Sequence, residues 1–227
     1  MQRRQWMAGV AAAGGLGLLW REARANVLTQ GDASAGVRAA LERGSVAAVS
    51  TLGKSDGFLG NPKVRIGLPP SLDGAVKLLR ATGQGGRIDE LVTAMNRAAE
   101  AAVPEAQPLL VSAAKSVSLD DAIGILRGGD TAVTDYFARK TREPLGVKFL
   151  PIVSRETAKL SLTEKYDALA AKAAGFGLVK QEDANIERYV TAKALDGLYL
   201  MVGEEEKKIR ADPIGTGSAL LKKVFGG

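Results

Sequence analysis

Residues 183–211 read DANIERYVTAKALDGLYLMVGEEEKKIRA. The stretch has no proline and predicts one helix, about 43 Å long at a rise of about 1.5 Å per residue. From Tyr189 to Gly203 the only charges are Lys193 and Asp196. Apolar or small residues fill nearly all the rest of the circumference, which is the pattern of a buried helix. From Glu204 to Arg210 almost every residue is charged, with Glu204–Lys208 and Glu206–Arg210 spaced i,i+4 as supporting pairs. The expectation is a helix that enters the core and leaves it again, with the rest of the chain packed around it.

The bulk composition fits that centre. Of 227 residues, 46% are hydrophobic and 25% charged, the balance of a globular protein, while only 5% are aromatic and alanine is abundant. Small side chains let helices approach closely, so an alanine-rich helical bundle follows. The chain has no cysteine and no histidine. Disulfides, thiolate chemistry and cysteine-ligated metal sites are therefore excluded. So are a Ser-His-Asp triad and a typical zinc site, because both need imidazole.

The N-terminus has a different character. MQRRQWMAGVAAAGGLGLLWREARA, residues 1–25, runs from basic (Arg3, Arg4) through an apolar stretch to small residues at Ala23 and Ala25. That order is an export signal, and the apolar run is too short and glycine-rich for a membrane span. Arg3-Arg4 resembles the twin-arginine motif used by proteins exported already folded. Cleavage after about Ala25, as in other such signals, places a mature domain of residues 26–227 in the periplasm, with no stable membrane span remaining. Cleavage removes Arg3, Arg4, Arg21, Arg24 and Glu22 from 31 basic and 25 acidic residues, so the net charge falls from +6 to +3. The remaining charges are interspersed and form no basic stripe, so a nucleic-acid partner is not expected.

Outward from the central helix, periodicity predicts further helices over 33–52, 71–82 and 87–103. In the third, Ile88, Leu91, Val92, Met95, Ala98, Ala99 and Ala102 share one face, with Asn96 at its border. Another helix starts at Pro104, with a kink or restart at Pro108. Ser118 with Asp121 forms a capping box for the next. Gly128-Gly129 closes that helix, and Asp130 or Thr131 caps one running through Val133, Tyr136 and Phe137. A separate helix is expected over 144–160, bent at Pro151, and a second capping box at Ser161 and Glu164 precedes a helix over 166–174. Pro213 stops the central helix, and a short helix over 217–225 ends the chain. Between the first two helices lies GKSDGFLGNPKVRIGLPP, residues 53–70, a long loop. In it Val64, Ile66 and Leu68 alternate with Arg65 and Gly67, and with no sheet to join they predict an extended segment laid over the helices.

Four phrases in this order, MNRAAEAAVPEA (95–106), LDDAIGILRGGDTAVTDYF (119–137), YVTAKALDGLYLMVGEEEKKIRADP (189–213) and LLKKVFG (220–226), resemble an exported bacterial family known only as domain of unknown function 4197. The likeness covers residues 30–227. It implies a helical exported bacterial protein and supplies no reaction, cofactor or catalytic residue.

Candidate site residues come from the polar groups that the pattern isolates. Lys193 and Asp196, i,i+3 on the most apolar part of the chain, are either an internal ion pair or a polar pocket in which one of them meets a ligand. Asn96, Arg97 and Glu100 could line a polar site, with Arg97–Glu100 otherwise a surface pair. Asp130 sits at a helix N-terminus, where anions bind, but its own charge opposes that. Asp120-Asp121 and Glu204-Glu205-Glu206 lack EF-hand spacing, so no metal is assigned, nor any other cofactor. The resulting expectation is a single all-α domain of roughly nine helices around a long C-terminal helix, after a cleaved N-terminal signal. The leading functional reading is a non-enzymatic envelope protein that binds an envelope protein partner or a small apolar ligand between helices. The competing reading is a hydrolase or lyase using carboxylates with Lys193. A dry apolar channel would favour the first, and a cluster of perturbed carboxylates around Lys193 the second.

Overall fold

A computed structural model describes residues 30–129, 131–159, 164, 166, 167, 185–213, 215 and 218–225. The expected signal, Asp130, Ser161 and most of the helix predicted after it lie outside these residues. All regular structure described is helical: α1 (Gln30–Leu52), α2 (Asp73–Ala81), α3 (Gly85–Ala102), α4 (Ala106–Lys115), α5 (Leu119–Arg127), α6 (Ala132–Lys159), α7 (Ile186–Ala211) and α8 (Ala219–Phe225), with short 3-10 turns at Pro70–Leu72 and Val103–Glu105.

The long helix is α7. Asn185 caps it, its side-chain oxygen accepting the Arg188 N–H at 2.8 Å. It packs along α6 most extensively, and also against α1 and α3. The core between them holds Met95, Phe137, Leu145, Phe149, Val190, Ala194 and Leu198.

Two details of α7 depart from expectation. The charged end does not leave the protein, because Glu206 and Ile209 are buried, the latter against Ala40 and Leu221. The pairing there also differs: Glu206–Arg210 forms at 2.9 Å, but Lys208 pairs with Glu205 at 2.6 Å, and Glu204 turns to Lys63 and Lys207.

The two helices expected over 131–137 and 144–160 are one, α6, which runs through Pro144 and Pro151. Each proline removes one backbone donor and pushes against the carbonyl four residues back. Both prolines, and Lys140 and Val147 four residues before them, lie on the exposed face, where those carbonyls meet solvent. On the opposite face Val133, Phe137, Thr141, Leu145, Phe149, Val153 and Thr157 are all buried, so packing holds the helix together across both breaks.

Helix ends follow local chemistry. Ser118 and Asp121 form the expected capping box, Ser118 Oγ accepting the Asp121 N–H at 3.1 Å and Asp121 accepting the Ser118 N–H at 3.2 Å. The Ser118 hydroxyl also donates to the Asp121 carboxylate at 2.7 Å, and this bond, ahead of the one from the Ser118 N–H, holds the carboxyl below its usual range. Gly83, at φ 79°, ends α2 in a Schellman motif, with Gln84 N–H to Leu79 C=O at 2.8 Å and Gly83 N–H to Arg80 C=O at 3.2 Å. The chain restarts at the 3-10 turn containing Pro104, with Pro108 inside the first turn of α4.

Candidate functional site

The loop over 53–70 is the longest irregular stretch among the described residues, and its backbone needs partners that no sheet supplies. Two α3 side chains provide them. Asn96 is fully buried. Its Oδ1 accepts the Ile66 N–H at 2.8 Å, and its Nδ2 donates to the Ile66 C=O at 2.8 Å and the Val92 C=O at 2.7 Å. A side-chain amide carries the same donor and acceptor as a peptide, so Asn96 stands in for a neighbouring strand. One turn on, Glu100 Oε1 accepts the N–H groups of Phe58 and Leu59 at 3.0 and 3.1 Å. Its Oε2 meets Arg97 at 2.7 Å, and Arg97 continues to Asp56 at 2.8 Å and Ser55 at 3.0 Å. The hydrogen bond to Glu100 leads the interactions that raise the Arg97 pKa.

Arg97–Glu100 is thus no simple surface pair. The Glu100 side chain is 6% exposed against 37% for Arg97, so the carboxylate is an internal anchor with a half-exposed counter-ion. Asn96 and Glu100 hold the loop and do not line an open site. Between them they set Phe58, Val64 and Ile66 into the core. Gly197 on α7 makes room for this: a Cβ there would lie 2.7 Å from a Phe58 ring carbon and 3.2 Å from Val64 Cβ.

Lys193 and Asp196 are not in the core. Their side chains are 48% and 49% exposed, 3.6 Å apart, and Asp196 is held more closely by Arg142 of α6 at 3.0 Å. They belong to a narrow solvent stripe that continues through Leu200, which is 42% exposed, to Glu204 and Lys207. Ala192 and Leu200 on this stripe disguise it as apolar surface. The expectation of a buried ion pair is corrected accordingly.

The stripe forms one wall of an open groove of about 370 Å³, and the extended segment forms the other. Lys63, Arg65 and Gly67 face it from the segment, and Tyr189, Lys193 and Asp196 from α7. The Tyr189 hydroxyl donates to the Gly67 C=O at 3.0 Å, tying the walls together at one point. Lys193 lies 6.0 Å from the centre of the Tyr189 ring, at the outer limit of a cation–π contact. Neither expected discriminator is present here. The carboxylate lining this groove, Asp196, is paired with Arg142 and with Lys193. An enclosed cleft between α1, α6 and α7 holds only about 10 Å³, room for a single water and not for a ligand.

That cleft contains Glu206, which the sequence showed as half of an i,i+4 pair and as one of three successive acids. Its Oε1 takes the Val133 N–H at 3.3 Å at the start of α6 and the Arg210 Nε–H at 3.0 Å, while its buried Oε2 has no hydrogen-bond partner among the described residues. Burial pushes its carboxyl above the usual range, against the opposing pull of Arg210. A second open groove, about 490 Å³, lies beside Asp120, Asp121, Thr131, Asp135 and Arg139 near the α5–α6 junction. There Asp121 is committed to the capping box, and Asp135 accepts from Thr131 at 3.2 Å. Among the described residues no group of three or more acidic side chains converges as a metal site would need, and no helix is long and apolar enough to cross a membrane.

No curated protein and no solved structure matches the chain. One family matches over residues 27–226, spanning all the helices described, the loop over 53–70 and both walls of the groove. The chain belongs to that family, DUF4197, described as a protein of unknown function.

Proposed function

We propose that this chain is an exported, non-enzymatic binding protein of the bacterial periplasm, and that its binding surface is the groove between the extended segment and α7. The observation that carries this reading is the construction of the groove. Two buried polar side chains, Asn96 and Glu100, are spent on holding an irregular segment in place, and that segment then presents Lys63 and Arg65 opposite Lys193. A wall braced from inside while its outer edge stays open suits recognition of a second molecule. The volume, about 370 Å³, falls within the range of ligand sites. A binding rather than catalytic role is supported by the state of Asp196, the groove's carboxylate, which is already engaged by Arg142 and Lys193.

Export is supported by the basic, apolar and small-residue order of residues 1–25. Replacing Arg3 and Arg4 together by lysine should strand precursor in the cytoplasm, and normal export of that variant would remove the twin-arginine route. The binding reading is tested by mass spectrometry of molecules that co-purify with protein taken from its native periplasm, comparing wild type with Leu200→Asp/Lys193→Glu. A species retained by wild type and lost from the variant is the expected result. Identical, empty profiles would sink the reading.

A further inference from the structure

The groove has an open main-chain edge. Ile66 turns both its N–H and its C=O inward to Asn96. Successive residues of extended backbone direct these groups to opposite edges, so the Arg65 C=O and both groups of Gly67 point the other way, while the Arg65 N–H is closed in a turn onto the Asn61 C=O at 2.9 Å. The Tyr189 hydroxyl on the Gly67 C=O shows that this outer edge faces α7 across the groove. The Gly67 N–H and the Arg65 C=O on the same edge have no hydrogen-bond partner among the described residues. Gly67 also has nothing within 4 Å of where a Cβ would stand, so the backbone can be approached without obstruction.

Charge adds a second constraint. The groove is lined by Lys63, Arg65 and Lys193 against one acid, Asp196, with Lys63 already paired to Glu204 of α7. Arg65 has no acidic partner among the described residues, and Lys193 shares Asp196 with the closer Arg142. Apolar surface lies between the charges at Leu68, Pro70 and Leu200.

Resting on the binding role argued above, we infer that the occupant is an extended acidic segment of another polypeptide. It adds as a short strand to the Arg65–Gly67 edge, its carboxylates meeting Arg65 and Lys193 and its alternate apolar side chains lying on Leu68, Pro70 and Leu200. An unpaired edge supplies main-chain hydrogen bonds to any extended peptide, and the cations select an acidic one. From Tyr189 to Leu200 the α7 wall is about 16 Å long at 1.5 Å per residue, which spans about five residues of extended chain at about 3.3 Å each.

The test is a random decapeptide display selection on the full chain, run in parallel on Arg65→Glu/Lys193→Glu. Both changes fall on exposed side chains, and circular dichroism checks that the variant is folded. Wild type should enrich sequences alternating Asp or Glu with apolar residues. The best synthetic peptide should bind the variant at least ten-fold more weakly by fluorescence anisotropy. N-methylation of its amides at every second position should abolish binding in one register and spare it in the other. Neutral or basic winners, the same winners on both proteins, no enrichment, or equal tolerance of both methylation registers would each overturn the inference. Dodecanoate and dodecyl phosphate are assayed alongside by native mass spectrometry. Retention of either by wild type and not by the variant, without acidic peptides, would refute the peptide while leaving the groove as a binding site. No difference between the two proteins with any probe would remove both.

Discussion

The polar face of α3 and the polar stripe of α7 look alike as residue lists and behave in opposite ways. Asn96 and Glu100 are buried, and each is matched to backbone groups of the 53–70 loop. Lys193 and Asp196 are half exposed and are matched to each other and to Arg142. The difference lies in what needs a partner. An irregular segment packed on a helical core brings buried N–H and C=O groups that must be satisfied, and the side chains that satisfy them are drawn inside. Two opposite charges that can satisfy one another gain nothing from burial and stay where water solvates them. The first region is therefore structural and the second available for recognition.

The comparison breaks most readily at Asn96. Asn96→Ala leaves the buried N–H and C=O of Ile66 unpaired, and at about 1–3 kcal/mol for each orphaned group the protein should lose about 2–5 kcal/mol in urea unfolding. A loss below about 1 kcal/mol would mean the segment does not depend on this clamp. Glu100→Ala comes next, at about 2–4 kcal/mol, because the N–H groups of Phe58 and Leu59 lose a charged acceptor. Glu100→Gln keeps one acceptor oxygen and should cost only about 1 kcal/mol. Equal costs for the two changes would show that the charge facing Arg97 matters more than the loop amides.

Glu206 sharpens the contrast on α7 itself, since it too is a buried carboxylate serving backbone, at the start of α6. Its pKa is raised in the folded protein, above the ordinary 4.5, with burial as the leading cause. Within the window above 4.5 the native state binds more protons than the unfolded state, so this group's contribution to stability falls as pH rises through its folded pKa. Urea midpoints measured from pH 5 to pH 8 should show the midpoint of Glu206→Gln minus that of wild type rising with pH; a difference that falls as pH rises would contradict the raised pKa. The smallest effects belong to the exposed pair. Lys193→Ala and Asp196→Ala should each cost less than about 1 kcal/mol and add nearly independently. A loss near 3 kcal/mol for either would mean the pair is desolvated after all.

Much of this architecture could be read from local pattern. The Ser118–Asp121 capping box and the apolar face of α3 depend on residues a few positions apart, and each is present in the structure. The role of Asn96 could not be read in that way, because its partner is the backbone of a residue thirty positions earlier. A signal existed all the same: an extended Val64-Ile66-Leu68 with no sheet demands a donor–acceptor pair, and Asn96 sits at the edge of the nearest apolar face. Lys193 and Asp196 were misplaced because Ala192 and Leu200 made a solvent stripe resemble core, although charges at 193, 196, 204 and 207 follow one side of the helix. The unbroken α6 was legible too, in buried residues recurring every fourth position from Val133 to Thr157, but two prolines argued locally against it.

The pinning of the extended segment by Asn96 is what builds the wall of the groove. It is tested most directly by amide hydrogen exchange at Ile66 in wild type and in Asn96→Ala. The Ile66 N–H, bonded to Asn96 Oδ1 at 2.8 Å, should be strongly protected in wild type. In the variant it should exchange at least ten-fold faster, while the amides of α7 from Val190 to Val202 keep their protection. Rapid exchange of Ile66 in wild type, or equal protection in both proteins, would contradict the account.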